Sequence, residues 1–328
     1  MKRIAGIGVL AAAALLTAGC AGGQPAPDAS GGSTGGADKV TVAAVVTIST
    51  APLWVAEAKG IWAKYGLDVT IQGTQNFAAA VPSLLNGQVQ FATGAVPPFL
   101  TAVDQGLPIR AVGGSSAAAA DPEDDGDSLV VPADSPFQDI RDLKGMTLAT
   151  NAIGAITQAA IVADYVNAGG EADDLNWVVM DLSEMEAAMD RGDVDGAAMA
   201  DPFTAQAKAD GFRAWSALRQ PDAPLVPANA ATVVVVASQQ YLAANADVAA
   251  RFQQALIEAN DAARADPDLV VQLLVEKGGM TQAAAEGTMQ PAFNGKVSAD
   301  DMQAWADAMY TAGLLTKKLD GTDLAWTP

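Results

Sequence analysis

The sequence predicts an α/β fold of two similarly wound lobes, each built on a mostly parallel sheet. Three observations carry this. Short apolar strands alternate with helical segments at the spacing of βα units. The pattern then repeats: Gly87-Gln88-Val89-Gln90-Phe91-Ala92 is echoed by Gly192-Asp193-Val194-Asp195-Gly196-Ala197, and the turn at Thr47 by the turn at Asn151, both at offsets of about 105 positions. Finally, polar turns follow the strands, at the carboxyl ends where open parallel sheets bind ligands.

The chain opens with a processing signal. Lys2 and Arg3 precede an apolar run, Ile4 to Leu16, that is too short to be read as a spanning helix. Leu16-Thr17-Ala18-Gly19-Cys20 follows and resembles a bacterial lipobox, with Thr17 where leucine is usual. Residues 1–19 are therefore expected to be a signal peptide and Cys20 the lipidated new N-terminus. Residues 20–38 hold only small and polar residues, proline and the cysteine, and are expected to form a flexible tether.

The globular elements then come in order. Val40–Thr47 reads as a strand. Thr47, Ser49 and Thr50 make a hydroxyl-rich turn, and Pro52 stands where a helix tolerates it near its start. Leu53, Trp54, Ala56, Ile61 and Trp62 fall at helical spacing, interrupted at Lys59-Gly60. Strand Leu67–Gln72 leads to the turn Gly73-Thr74-Gln75-Asn76 and a helix from Phe77 to Asn86. Val89–Thr93 is a strand, Gly94–Pro98 turns into a helix ending near Gly106, and Pro108–Val112 is a further strand. Residues 117–127, dense in acids, read as a solvated loop.

The second unit repeats the scheme. After a short strand, Ser128–Pro132, and a helical turn over Asp139–Lys144, strand Met146–Thr150 leads to the turn Asn151–Thr157 and a helix to about Asn167. A strand at Trp177–Met180, a helix at Ser183–Arg191 and a strand ending at Met199 follow, then Asp201-Pro202 and a helix over Phe203–Asp210. Thr232–Ser238 is an apolar strand suited to a return into the first lobe. The rest is helical, at Tyr241–Asp266, Pro267–Lys277, Thr281–Met289 and Ser298–Ala312, with Ser298 and Asp301 spaced as a capping pair. Trp305 and Met309 are expected in a core. Lobe 1 is thus expected over residues 39–127 and 234–328, with lobe 2 over 128–233.

Composition excludes several functions. Eighteen Lys and Arg against 38 Asp and Glu give a net charge of −20, which opposes a nucleic-acid partner. The chain has no histidine and one cysteine, Cys20. That removes His-dependent nucleophile systems and the commonest transition-metal ligand. No catalytic residue, cofactor or metal is expected, and the protein is not expected to be an enzyme.

Two turns from each lobe would face one another across a cleft, with Gln75 and Asn76 as a further contribution. The candidate ligand-binding residues are Thr47, Ser49, Thr50, Gln75, Asn76, Thr93, Gly94, Asn151, Gly154, Ala155, Thr157 and Asp201. Hydroxyls, amides and helix starts suit a small polar solute. Asp201, the one acid in the set, would pair with an ammonium or another donor.

Ala51-Pro52-Leu53-Trp54-Val55-Ala56-Glu57-Ala58-Lys59-Gly60-Ile61-Trp62, with Tyr65-Gly66-Leu67-Asp68-Val69, resembles the opening signature of the sulfonate, taurine, nitrate and thiamine-precursor binding proteins of ABC importers. Leu85–Phe91, Asp142-Leu143-Lys144-Gly145, Gly192–Gly196 and Asp201-Pro202 also match family positions, with Gln90 and Asp201 departing from the usual Asp and Glu. The resemblance covers about residues 40–315. It implies a type II periplasmic-binding-protein fold with two crossovers, which fit Ser128–Val131 and Thr232–Ser238, and C-terminal helices on lobe 1. It implies hinge closure on a solute, delivery to a membrane permease driven by a cytoplasmic ATPase, and a monomer held outside the plasma membrane by its lipid. A small organosulfonate or taurine-like solute is the expectation, with nitrate, a thiamine precursor or another heterocycle as alternatives. A thiamine-pyrimidine-synthase-like enzyme, set against the missing histidine, and a ligand-sensing lipoprotein are the readings from other classes.

Overall fold

The computed structural model describes residues 36–219, 224–287 and 292–328. The expected signal peptide, Cys20 and most of the tether lie outside the described residues. Asp38, placed at the tether's end by sequence, instead opens the first strand, and its carboxylate pairs with Arg251 at 2.5 Å.

The strands run β1 (Asp38–Val45), β2 (Leu67–Thr74), β3 (Phe91–Ala95), β4 (Ile109–Ala117), β5 (Ser128–Val131), β6 (Thr147–Thr150), β7 (Asn176–Val179), β8 (Gly196–Met199), β9 (Arg213–Ser216) and β10 (Ala231–Ser238). They form two five-stranded sheets, ordered β2-β1-β3-β10-β4 and β7-β6-β8-β5-β9. Each has one antiparallel strand in the fourth position, β10 in lobe 1 and β5 in lobe 2. These are the first strands after the two crossovers, residues 118–127 and 217–230, so the chain enters each sheet from the other lobe against the local strand direction.

The repeat extends to single hydrogen bonds. In lobe 1 the Gln90 Oε1 accepts from Thr41 N at 2.8 Å, and in lobe 2 the Asp195 Oδ2 accepts from Thr147 N at 2.8 Å. Gln90 therefore meets the same backbone need in lobe 1 as Asp195 does in lobe 2.

The helices are α1 (Ala51–Ala58), α2 (Ile61–Lys64), α3 (Phe77–Leu85), α4 (Val96–Asp104), α5 (Ile156–Asn167), α6 (Leu182–Asp190), α7 (Phe203–Ala209), α8 (Gln239–Ala244), α9 (Ala246–Ala265), α10 (Pro267–Glu276), α11 (Gln282–Gly287), α12 (Ala299–Thr311) and α13 (Gly321–Leu324). Strand periodicity sorts them onto the two faces of each sheet. Val40, Val42 and Ala44 of β1 join the core under α1, α2 and α9, where Phe252 stacks on Phe91 at 3.9 Å and on Trp62 at 5.2 Å. Ala43 faces the opposite way, toward Phe77 and Phe99 of α3 and α4. In lobe 2, Val130 and Ala149 face α6 and α7, whereas Leu129 and Leu148 face α5.

One apolar core passes between the lobes. α4, α5 and α12 pack on one another, and Met302, Trp305 and Met309 of α12 join residues of both sheets in a single cluster. Trp305 is fully buried and donates its indole N–H to Ala231 O at 3.0 Å. Trp54, whose helical spacing fits a core position, is buried between α1 and α10 beside Val270 and Leu273.

Candidate functional site

The lobes meet at a cavity of about 240 Å³. It takes Thr47, Ile48 and Ser49 from the first turn, Ser116 and Ala117 from the end of β4, and Thr232 and Val233 from β10. Lobe 2 adds Ile156 at the start of α5 and Ala200 and Asp201 after β8, and both crossovers border it. A larger groove, about 600 Å³, lies on lobe 2 at the amino ends of β6 and β8 and draws on that lobe alone. The smaller cavity is the candidate site, because it is shared by both lobes at the carboxyl ends of their strands.

The crossovers are tied together. Ala118 N donates to Ala230 O at 2.9 Å, Asn229 N to Ala118 O at 3.1 Å, and Ala217 N to Asp127 O at 2.9 Å. Asp125, only 3 % exposed, completes the tie. Its carboxylate accepts from the Ser216 hydroxyl, from Leu218 N at 3.2 Å and from Asp127 N at 3.0 Å. Burial raises the Asp125 pKa, opposed by those donors. Asp127 borders the cavity beside it. Burial, then the charges of Asp125 and Asp201, push its carboxyl up to about 7, against a 2.7 Å hydrogen bond from Thr157 Oγ1. The acid-rich segment read as a solvated loop is thus one of the two crossovers and one wall of the cleft, with Ala117, Ala118 and Ala119 buried.

Of the residues chosen from sequence, Thr47, Ser49 and Asp201 border the cavity. Asp201 also accepts from Ala205 N at 3.2 Å, at the first turn of α7. Thr157 reaches the cavity through Asp127. The others have local duties. Thr50 is buried and donates to Val45 O at 2.7 Å, closing its own turn. Thr93 and Gly94 lie inside β3 rather than after it. Thr93 Oγ1 accepts from Val45 N at 3.0 Å, and a Cβ on Gly94 would come within 2.6 Å of the Phe77 ring. Asn151 is exposed and away from the lining. Gly154, at φ +81°, donates its N–H to Gln158 Oε1 at 2.9 Å, and Ala155 is the residue before α5. Gln75 is exposed and outside the lining, and Asn76 accepts from Ala79 N at 2.9 Å as the cap of α3. Asn76→Ala is therefore expected to cost about 1 kcal/mol of stability in a denaturant titration. An accompanying loss of ligand affinity would show that Asn76 serves the cleft after all.

Sequence reasoning missed Asp125, Asp127, Ser116 and Thr232. Thr232 Oγ1 donates to Ser116 Oγ at 3.1 Å, a hydroxyl pair joining β10 to β4 at the cavity. Two of the three partners of Asp125, Ser216 and Leu218, lie some ninety residues away along the chain, so no local pattern marks it as buried.

Known proteins share this architecture. The alkanesulfonate-binding protein SsuA from Xanthomonas axonopodis pv. citri bound to MOPS is 19% identical, with a TM-score of 0.67 over 88% of this chain and 98% of that one. The periplasmic aliphatic sulphonate binding protein SsuA from Escherichia coli is 18% identical, with a TM-score of 0.69 over 88% of this chain and 97% of that one. The periplasmic nitrate-binding protein NrtA from Synechocystis PCC 6803 is 15% identical, with a TM-score of 0.55 over 77% and 69%. No curated protein sequence matches the chain. These likenesses establish the two-lobed type II periplasmic-binding-protein fold. The family profile described as NMT1/THI5 like matches residues 47–269, spanning the first turn, both crossovers and every residue bordering the cavity. The chain belongs to the NMT1/THI5-like family.

Proposed function

We propose that the protein is the extracytoplasmic solute-binding component of an ABC importer, held to the membrane by a lipid on Cys20. It captures a small solute between its lobes and presents the closed form to a permease with a cytoplasmic ATPase. The observation that carries this reading is the shared cavity: residues of both lobes and both crossovers border one space, so bending the crossovers changes its size. At about 240 Å³ it falls just below the range of roughly 300–1,000 Å³ that holds drug-sized ligands, which favours a small solute. The lining supplies hydroxyls, carboxylates and apolar groups, and the chain contains no histidine, so binding accounts for the site better than catalysis does.

The sulfonate binding named for the similar structures fits the lining poorly. Asp125, Asp127 and Asp201 border the cavity, and no lysine or arginine does among the described residues. An anion would enter against that field.

The test pairs uptake with stability. Deleting the gene while leaving the permease intact is expected to abolish uptake of one solute class. That solute, at about a thousand times its dissociation constant, is expected to stabilise the purified protein by roughly 4 kcal/mol. Normal uptake of every candidate solute in the deletion strain would sink the importer reading.

A further inference from the structure

The cleft carboxyls differ in what remains after the protein's own bonds are made. Asp125 is consumed: one oxygen takes the Asp127 N–H, and the other takes the Ser216 hydroxyl and the Leu218 N–H. Asp127 is half used. Its Oδ1 is fixed by Thr157 Oγ1 at 2.7 Å, and its Oδ2 has no hydrogen-bond donor among the described residues. The group is desolvated, borders the cavity and lies within the field of Asp125 and Asp201. Lys208, the cation that acts on Asp125, lies outside the lining and donates to Glu123 O at 3.2 Å. That oxygen borders the cavity without a protein donor, so it is open to a donor on a ligand. A cationic N–H beside it would supply both the missing hydrogen bond and the missing charge.

The rest of the lining fixes the other half of the solute. Ile48, Ile156, Leu218 and Val233 border the same cavity, which holds the volume of about eight waters. Resting on the solute-binding reading above, we infer that Asp127 is the specificity-determining residue of the cleft, and that the solute is a small organic cation with an N–H donor on an apolar body. Thr157 is a positioning residue: it holds one carboxylate oxygen and so aims the other.

Four probes of one chain length separate charge from shape: butylamine, butylguanidine, butanol and butanesulfonate, titrated calorimetrically into the purified protein. The two cations are expected to bind at least about tenfold more tightly than butanol, with butanesulfonate weakest. Asp127→Asn keeps the shape of the side chain and is expected to erase that tenfold preference. Thr157→Val, a second variant should Asp127→Asn fail to fold, is expected to weaken cation binding by about two- to tenfold. Cation binding is also expected to strengthen as pH rises through about 7, where Asp127 ionises, and this rise is expected to flatten in Asp127→Asn. Asp125 and Asp201, which act on Asp127, and Asp124 on the cavity wall are the other acids able to contribute to it. Butanesulfonate binding as tightly as butylamine, unchanged cation affinity in Asp127→Asn, or no binding of either cation overturns the proposal. In each case the importer reading stands or falls separately, on the uptake lost in the deletion strain.

Discussion

Trp305→Ala is expected to destabilise the protein by about 3–5 kcal/mol, the usual cost of emptying a large aromatic site in a core. Trp305 is fully buried on α12 and belongs to the cluster that α4, α5 and α12 share between the lobes. Its loss opens a cavity in the core that the two lobes share, and it leaves Ala231 O without its indole donor. Little relief is available, because its neighbours are anchored in two different lobes. The urea midpoint of the variant against the parent measures the effect, expected to correspond to a drop in melting temperature on the order of 10 °C. A loss below about 1 kcal/mol would mean that the interlobe core is not shared in this way.

Asp164 sets the second large effect, a dependence of stability on pH. It sits on α5, 7 % exposed, and its Oδ2 has no hydrogen-bond partner among the described residues. Burial alone pushes its carboxyl up to about 8. The unfolded chain releases this proton near pH 4, whereas the folded protein keeps it until about pH 8. Across that window the folded state binds the extra proton. Stability is therefore fully present below pH 4 and falls as pH rises toward 8, by about 1.4 kcal/mol per unit from this group. Asp127 works in the same direction up to about pH 7. Asp164→Asn cannot ionise. It is expected to remove about 4 kcal/mol of the decline between pH 5 and pH 8, read from melting curves at the two values. Parallel melting temperatures for variant and parent across that range would show that Asp164 is solvated or paired.

The sequence made the lobes legible because their strands are apolar and their caps are glycines at matching offsets. Elements that obey a different logic escaped it. β9, Arg213–Ser216, mixes polar and apolar residues in four positions on a sheet edge, too short a pattern to separate from a loop. β4 continues through Gly113-Gly114-Ser115-Ser116, beyond the Val112 at which the sequence reading ends the strand. The glycines are needed because another segment lies against the strand. A Cβ at Gly113 would stand 2.8 Å from Gly295 O, and one at Gly114 would stand 2.3 Å from Asn294 O. Residues 239–265, read as a helix from Tyr241, break at Asn245 into α8 and α9.

For the site, the rule that ligands bind at strand carboxyl ends picked out two turns that border the candidate cavity, at Thr47 and at Asp201. It did not say which side chains were already engaged. Thr50, Thr93 and Asn76 have the chemistry of ligand contacts but spend it on neighbouring backbone. Asp125 and Asp127 sit in a run of acids that looks solvated, and only contacts to Thr157, Ser216 and Leu218 reveal Asp125 as buried and Asp127 as half-buried and engaged.

The sheet order of lobe 1 also governs how the chain can fold. β4 has one partner in its sheet, β10, and their paired residues lie from 114 positions apart (Ala117 with Ala231) to 129 (Ile109 with Ser238), so the pairing spans all of lobe 2. Until residues 231–238 are available, the N–H and C=O groups along that side of β4 have no strand to bond. Lobe 1 therefore cannot be completed before lobe 2 has been made, and α12 with Trp305 comes later still. Pairings this distant in sequence are slow to form. A chain cut off before Ala231 would keep an open sheet edge and lack the helix that joins the two halves, so truncation should yield an aggregation-prone fragment in place of a smaller working lobe.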